Sequence, residues 1–307
     1  MPGPRIVSLI ASATESVAAL GLLDQLVGRS HECDYPPEVT RLPACSRPKI
    51  DIHKSSYRID QQIKSLLRDG LSIYEIDVDL LSDLRPDIIV TQTHCEVCAV
   101  SERDVRHALS IGIKSQPRLV SLQPDRLVDV WDGIKRIAET CGVAERGNEL
   151  VRRLKEQMQL ISDECHRDSH RPSVGCIEWA EPLMVAGNWT PELVGMANAT
   201  DPLGQPGRHS PLCSWERLAE ADPEVLIIMP CGYELHRARQ ELLLLQKQSL
   251  WNSLRAVTAG KVYFVDGNAY LNRPGPRLVE SLKILGEILH PRVCDALHEG
   301  DAWLPMR

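Results

Sequence analysis

Short apolar runs alternate with longer amphipathic stretches along the first 125 residues. Runs bounded by turn residues predict buried strands at Arg5 to Ile10, Leu26 to Arg29, Ile88 to Val90 and Leu119 to Leu122. The segments between them place apolar residues at three- and four-residue steps, as in Ser12 to Leu22, which predicts helices. Strands separated by helices form parallel sheets covered on both faces, so this part of the chain is expected to be an α/β lobe.

One amphipathic stretch, Ala144 to His166, is much longer than the others. Gly147 is its only glycine and it holds no proline, so the pattern predicts one helix of roughly 34 Å at 1.5 Å per residue. A helix of this length can join two bodies. Its apolar face consists of Leu150, Val151, Leu154, Met158, Ile161 and Cys165.

The pattern of the first lobe returns after this helix. Val174 to Trp179 reads as an opening strand, and the segment from Ser214 to Met229 mirrors the unit from Leu80 to Val90. The sequence therefore predicts two doubly wound α/β lobes joined by one long helix, with a ligand cleft between the lobes. The expected divisions are 1–125 for the N-terminal lobe, 126–170 for the connecting helical segment and 171–307 for the C-terminal lobe.

Composition narrows the class of partner. The chain has 307 residues and a formal charge of -7, from 42 acidic and 35 basic residues. This negative charge does not favour binding to nucleic acid. No run of about 18 apolar residues predicts a membrane span. Ten cysteines at irregular spacings, in a sequence that shows no export signal, are expected to be reduced thiols or ligands. We therefore expect a cytoplasmic protein.

Candidate binding residues are sought where strands end, because open parallel sheets bind ligands beyond the carboxyl ends of their strands. The chain has one Phe, six Trp and six Tyr, and several of these aromatic residues fall in such loops. Rings with polar tips stack on flat ligands while donating hydrogen bonds, although a single one is more often a structural cap. The loop aromatics are Tyr35, Trp179, Trp189, Tyr233 and Tyr270.

Several segments, in this order, make the chain resemble the substrate-binding proteins of vitamin B12 and iron-siderophore ABC importers. The cobalamin-binding branch is the most similar, in its Asp-Tyr-Pro turn and its tryptophans. The segments are Ile6-Val-Ser-Leu with Ala13-Thr-Glu, Cys33-Asp-Tyr-Pro, Leu84-Arg-Pro-Asp-Ile-Ile-Val, the long helix, Asp222-Pro-Glu-Val-Leu-Ile-Ile and Asn272-Arg-Pro-Gly-Pro-Arg-Leu.

The resemblance implies roles for individual residues. Tyr35, Trp179, Trp189 and Tyr270 match positions that line the ligand cleft in that branch, and Asn272 and Arg273 match its C-terminal rim. One acidic residue in each lobe is implied to dock on the importer permease. Glu216 matches the second such position, and Asp79 is a looser match for the first.

The cysteines suggest a different chemistry. Cys95 and Cys98 form a CxxC between a strand and a helix, and Cys33 and Cys231 lie on other loops that follow strands. Four converging thiolates would suit zinc or an iron-sulfur cluster, and a CxxC alone would suit a redox pair. Thiols without any ligand are the commoner outcome, because closed zinc sites normally show two local pairs.

The sequence contains no GxGxxG, P-loop, HExxH or GxSxG motif, which removes the main supports for common enzyme classes. We expect a protein that binds cobalamin or a related corrinoid without catalysis. The alternative is a protein that handles a metal or tetrapyrrole through Cys33, Cys95, Cys98 and Cys231. Haem and siderophores stay open as ligands at this stage.

Overall fold

A computed structural model describes residues 3–69, 71–93, 99–111 and 115–306. The chain divides into two compact units. The N-terminal unit comprises Met1–Lys54, Gln61–Pro124 and Val128–Arg153, and the C-terminal unit comprises Ser55–Asp60, Asp125–Leu127 and Leu154–Arg307. Among the described residues, no helix is long and apolar enough to cross a membrane.

The N-terminal unit contains a four-stranded parallel sheet in the order β2-β1-β5-β6. Two further strands, β3 and β4, form a small antiparallel sheet. The strands are β1 Ile6–Ser8, β2 Leu26–Arg29, β3 Ser46–Pro48, β4 Tyr74–Ile76, β5 Ile88–Gln92 and β6 Arg118–Leu122. The helices of this half of the chain are α1 Ala11–Ala19, α2 Ser56–Arg68, α3 Val78–Leu84, α4 Glu102–Ile111, α5 Leu127–Thr140 and α6 Ala144–Cys165.

The C-terminal unit contains a five-stranded sheet in the order β11-β10-β9-β7-β8, parallel in its centre and antiparallel at both edges. Its strands are β7 Val174–Trp179, β8 Met184–Val185, β9 Val225–Ile228, β10 Val262–Val265 and β11 Trp303–Pro305. Its helices are α7 Thr190–Met196, α8 Trp215–Ala221, α9 Leu235–Gln240, α10 Leu242–Leu245, α11 Arg255–Thr258 and α12 Leu278–Leu289. The predicted class, two α/β lobes, is confirmed.

The long helix α6 has 22 residues and ends one residue before its predicted limit. Leu150, Val151, Leu154 and Met158 on its apolar face are all buried. Gly147 allows its first turns to pack closely on α5, since a Cβ at this position would lie 2.5 Å from the Cβ of Ala138. The amphipathic period and the single early glycine thus account for both the length and the packing of this helix.

Helices α3 and α8 are internal equivalents. Each has seven residues, and its N-cap side chain accepts a hydrogen bond from the amide three residues on, Asp77 in α3 and Ser214 in α8. Each ends at a left-handed residue, Arg85 with φ 45° and Asp222 with φ 35°. The chain then passes through a proline into the central strand of its sheet. The internal repeat predicted from sequence therefore includes the residues that cap both ends of these two helices.

Aliphatic residues of the sheets and covering helices form the two cores. Val7, Leu81 and Ile89 represent the N-terminal core, and Leu218 and Ile228 the C-terminal core. Aromatic rings also contribute to the C-terminal core, in which Trp251 and Phe264 are fully buried.

His31 lies just after β2, and its imidazole is partly buried. Its ring lies 5.3 Å from that of Tyr74, and its Nδ1 lies 3.0 Å from Ser46 Oγ. Burial, with help from the nearby Arg29 guanidinium, lowers the pKa of His31 to about 4. The imidazole is therefore neutral in the folded protein at neutral pH.

The N-terminal unit should lose stability as the pH falls from about 6.5 to about 4, because the unfolded chain then binds a proton that folded His31 does not. Because the side chain is partly exposed, we expect the loss to be about 2 kcal/mol. Urea unfolding of wild type and His31→Gln across this range tests it. The difference between the two proteins should change with pH, and parallel curves would contradict the assignment.

Candidate ligand-binding site

An aromatic cluster lies where β7 and β9 end in the C-terminal unit. The rings of Trp179 and Tyr233 meet edge to face, with centroids 5.4 Å apart and planes at 65°. The Arg237 guanidinium carbon lies 3.6 Å from the centre of the Tyr233 ring, on the helix that follows the same loop. Trp179 is half-buried, whereas Tyr233 is only 2% exposed. The buried Tyr233 ring therefore packs between the half-buried Trp179 indole and the Arg237 guanidinium.

The electrostatics of this cluster keep the phenol neutral. Burial raises the pKa of Tyr233 to about 12, and the nearby Glu241 carboxyl adds to the rise while Arg237 opposes it. Glu241 is itself buried and accepts a 2.6 Å hydrogen bond from Ser56 Oγ. Burial also raises the pKa of this carboxyl. The cluster thus combines a cation, neutral rings and a buried acid within one unit.

The loops after β9 and β10 are held together by their backbones. A Cβ at Gly267 would overlap the carbonyl oxygen of Pro230, so only glycine permits this approach. The Asn272 side-chain amide donates to the carbonyls of Met229, at 2.8 Å, and of Gly267, at 3.2 Å. Arg273 is 7% exposed and donates to Asn268 Oδ1 at 3.0 Å. Asn272 and Arg273, predicted to rim a ligand, therefore brace these loops.

Trp189 has a supporting position in the structure. It is 5% exposed, and its Nε1 donates a 2.7 Å hydrogen bond to the carbonyl of Leu271. Leu271 has a φ of 58°, and its amide donates to Ser281 Oγ at 3.0 Å. These bonds fix the backbone beside the half-buried Tyr270, over whose ring Arg277 lies at 5.5 Å.

The aromatic residues predicted from sequence thus fall into two groups. Trp179, Tyr270 and Tyr35 are half-buried or exposed, and Tyr35 is 43% exposed on the loop after β2 in the N-terminal unit. Trp189 and Tyr233 are buried and hold other groups in place. Sequence reasoning missed Arg237, although its helical position just after the Tyr233 loop was a usable signal.

Cys33 points into the N-terminal unit and is 1% exposed. Its Sγ accepts a hydrogen bond from Thr14 Oγ1 at 3.0 Å, lies 3.2 Å from Ser30 Oγ and donates to the Ser8 carbonyl at 3.7 Å. Burial raises the pKa of the Cys33 thiol, against the hydrogen bonds from Ser30 and Thr14. The structure therefore shows Cys33 as a buried thiol inside the N-terminal unit, and its role as a metal ligand stays a prediction.

Cys95 and Cys98 lie outside the described residues, and Cys231 is half-buried on the loop after β9. Within the described ranges, no three or more His, Cys, Asp or Glu side chains are grouped so that they could hold a metal ion. The hypothesis that Cys33, Cys95, Cys98 and Cys231 hold zinc or an iron-sulfur cluster stays a prediction.

The two predicted docking acids occupy matching places. Asp79 is the second residue of α3 and Glu216 the second residue of α8, and both are exposed. The structural equivalence of α3 and α8 supports the looser sequence match at Asp79. Each unit therefore presents one carboxylate on the first turn of the corresponding helix.

The sequence is similar to a known protein family and to individual bacterial binding proteins. The model of the family described as "Periplasmic binding protein" matches residues 6–269. An uncharacterised ABC transporter substrate-binding lipoprotein of Bacillus subtilis is 21% identical over 292 residues, covering 94% of this chain and 80% of the relative. A vitamin B12-binding protein of Vibrio cholerae is 20% identical over 289 residues, covering 92% of this chain and 87% of the relative.

Solved structures show the same fold. A periplasmic heme-binding protein from Roseiflexus sp. RS-1, in its apo form, superposes with a TM-score of 0.70 at 19% identity. The superposition covers 94% of this chain and 99% of that structure. The agreement extends over nearly the whole chain, so it supports the two-lobed α/β architecture rather than a single shared motif.

Removing the indole N–H of Trp189 should destabilise the C-terminal unit. Trp189→Phe leaves the buried Leu271 carbonyl without its donor, which we expect to cost about 1 to 3 kcal/mol. Trp179→Phe is the matched control and should cost less than about 1 kcal/mol, since Trp179 is half-buried. Urea unfolding measures both. Equal losses would contradict the supporting role of Trp189.

Proposed function

We propose that this chain, which belongs to the periplasmic binding protein family, binds cobalamin or a related corrinoid. Proteins of this family are the non-catalytic substrate-binding components of ABC importers, so the chain binds a small molecule and is not an enzyme. The choice of ligand is supported by the match to vitamin B12-binding proteins over 92% of the chain.

The observation that carries the proposal is the half-buried Trp179 ring, fixed edge to face against Tyr233. A corrin is a broad, nearly flat macrocycle with amide groups on its edge. An indole held in one orientation loses little freedom when a flat ring stacks on it. The half-buried Tyr270, in the same unit, supplies a further ring.

Haem is the second candidate, and the arginines favour it. Arg237 lies over the Tyr233 ring and Arg277 over the Tyr270 ring, so two cations accompany the aromatic residues in the C-terminal unit. Haem carries carboxylates, which guanidinium groups bind well, whereas the corrin edge is mostly neutral amide. The structural similarity to a heme-binding protein supports testing this ligand beside cobalamin.

Spectroscopic titration with cyanocobalamin, haemin and a ferric siderophore tests the ligand class. Trp179→Ala should weaken binding of cyanocobalamin about thirtyfold, or about 2 kcal/mol, while Trp179→Phe retains a ring and should lose less. Trp215→Phe, on α8, is a control for a general effect of losing an indole. Unchanged affinity in Trp179→Ala would remove this residue from the site, and saturation by haemin alone would replace the corrinoid proposal.

We propose Asp79 and Glu216 as the contacts with a transporter permease, the macromolecular partner that the family implies. Their matching places on equivalent helices let one type of basic pocket recognise both units. A carboxylate on the first turn of a helix is also favoured by the positive end of the helix dipole.

Asp79→Lys and Glu216→Lys should abolish co-sedimentation with vesicles that contain a cobalamin importer permease, and should leave ligand affinity unchanged. Asp83→Lys and Glu220→Lys are matched controls, because these exposed acids lie one turn further along the same helices. The controls should sediment as wild type does. An equal loss in both pairs would indicate a general charge effect and not two docking points.

We also propose that the protein works in the cytoplasm, and the eight described cysteines, all of them free thiols, support a reducing compartment. Fractionation of cells that make the native protein tests this. An importer receives its binding protein on the outer side of the membrane, so this proposal and docking through Asp79 and Glu216 are alternatives. Recovery from the exported fraction would overturn the cytoplasmic proposal, and recovery from the cytoplasmic fraction would exclude the docking role.

A further inference from the structure

Two buried thiols face each other in the C-terminal unit. Cys165 and Cys294 are 129 residues apart in sequence, and their Sγ atoms lie 3.8 Å apart. Cys165 is the last residue of α6, and the amide of Cys294 donates to the carbonyl of His290, at the end of α12. The pair therefore connects the ends of two helices that the chain brings together only by folding.

The space for the two sulfur atoms is created by a glycine inside α12. A Cβ at Gly286 would lie 2.9 Å from Cys165 Sγ and 3.3 Å from Cys294 Sγ. Glycine in a helix interior is unfavourable compared with alanine, and here its missing side chain is replaced by the thiol pair. The contact between the thiols is thus part of the packing of α12.

A second link holds the same two helix ends in register. His290 is fully buried, with Nδ1 3.3 Å from Asp168 Oδ2 and Nε2 2.7 Å from the carbonyl of Ala197. Asp168 follows the end of α6 by three residues, and His290 caps α12. Because this link flanks the thiols, the two sulfur atoms are kept opposite each other.

We propose that Cys165 and Cys294 are a site of reversible oxidative modification, at which a low-molecular-weight disulfide such as oxidised glutathione converts the two thiols into a disulfide. The sulfur of Cys294 attacks one sulfur of the reagent and releases one glutathione thiolate. The sulfur of Cys165 then attacks Cys294 in the mixed disulfide and releases the second. Two protein thiols lose two electrons and two protons, and one glutathione disulfide becomes two glutathione molecules.

The order of attack follows from accessibility. Cys294 is 8% exposed whereas Cys165 is fully buried, so the reagent reaches Cys294 first. Burial raises the pKa of both thiols, that of Cys165 to about 12 with a further contribution from Cys294. Thiolates are therefore scarce at neutral pH, and we expect the reaction to be slow and to accelerate as the pH rises.

A disulfide here would close a loop of 129 residues and restrict the unfolded chain. The oxidised protein should therefore melt at a higher temperature than the reduced protein, by roughly 3 to 8 °C. The effect requires no ligand, so the proposal does not depend on the proposed function.

The experiment uses the full chain, incubated with oxidised glutathione under native conditions at pH 8. The remaining thiols are alkylated, and proteolytic peptides are analysed by mass spectrometry. We expect a peptide that links Cys165 to Cys294, a higher melting temperature, and reversal of both by dithiothreitol. Absence of this linked peptide in native wild-type protein, or pairing of either cysteine with a different one, overturns the proposal without any variant.

Variants then assign the thermal effect. Cys165→Ser and Cys294→Ser should lose both the linked peptide and the rise in melting temperature. Cys141→Ser is the matched control, since Cys141 is also 8% exposed, and it should keep both. Gly286→Ala should slow linkage by pushing the sulfur atoms apart. A rise in melting temperature that persists in Cys294→Ser would show that another pair is responsible and would overturn the assignment.

Discussion

The close approach of two loop backbones at Gly267 is the constraint on which the candidate site of the C-terminal unit depends. The loop after β10 comes against the Met229 and Pro230 carbonyls at the end of β9, and any side chain at Gly267 would prevent this. Carbonyls brought so near to one another repel unless donors are placed between them, and the amide of Asn272 supplies these donors. The positions of Tyr233 and Tyr270 follow from this contact, because each lies three residues beyond one of its two partners.

The features that sequence predicted well are those encoded by periodicity over many residues. The limits of α6 came from a long apolar face without proline, and those of β2 from an apolar run between turn residues. The equivalence of α3 and α8 could be predicted because the same order of a short helix, a proline and an apolar strand occurs in both halves of the sequence. Strands β8 and β11 have only two and three residues, which is too short for a periodic pattern, so they were not predicted.

The contacts of single side chains cannot be derived from periodicity, because they depend on partners distant in sequence. Trp189 was assigned to a ligand surface from its loop, but its indole satisfies the Leu271 carbonyl 82 residues away. Cys33 was predicted as a metal ligand from its loop, but its sulfur also contacts Thr14 and the Ser8 carbonyl, 19 and 25 residues away. A loop position indicates that a residue lies near the site. Whether its side chain faces a ligand or supports the backbone depends on whether a buried polar group of the fold takes it as hydrogen-bond partner.

The polar chemistry around the aromatic cluster bears on ligand class. Asn272 and Arg273 direct their polar groups to the protein itself, to the carbonyls of Met229 and Gly267 and to the side chain of Asn268. Under the proposed function, the contacts with a flat macrocycle then come from the rings and from cations such as Arg237. The Arg237 guanidinium lies over the Tyr233 ring, and a planar guanidinium suits a planar acceptor better than the ammonium group of a lysine would. Carboxylates and amide carbonyls both meet this requirement, and they differ in charge. Burial raises the pKa of the nearby Glu241 carboxyl while the Arg237 guanidinium lowers it, so the charges of this acid and this cation offset each other within the cluster.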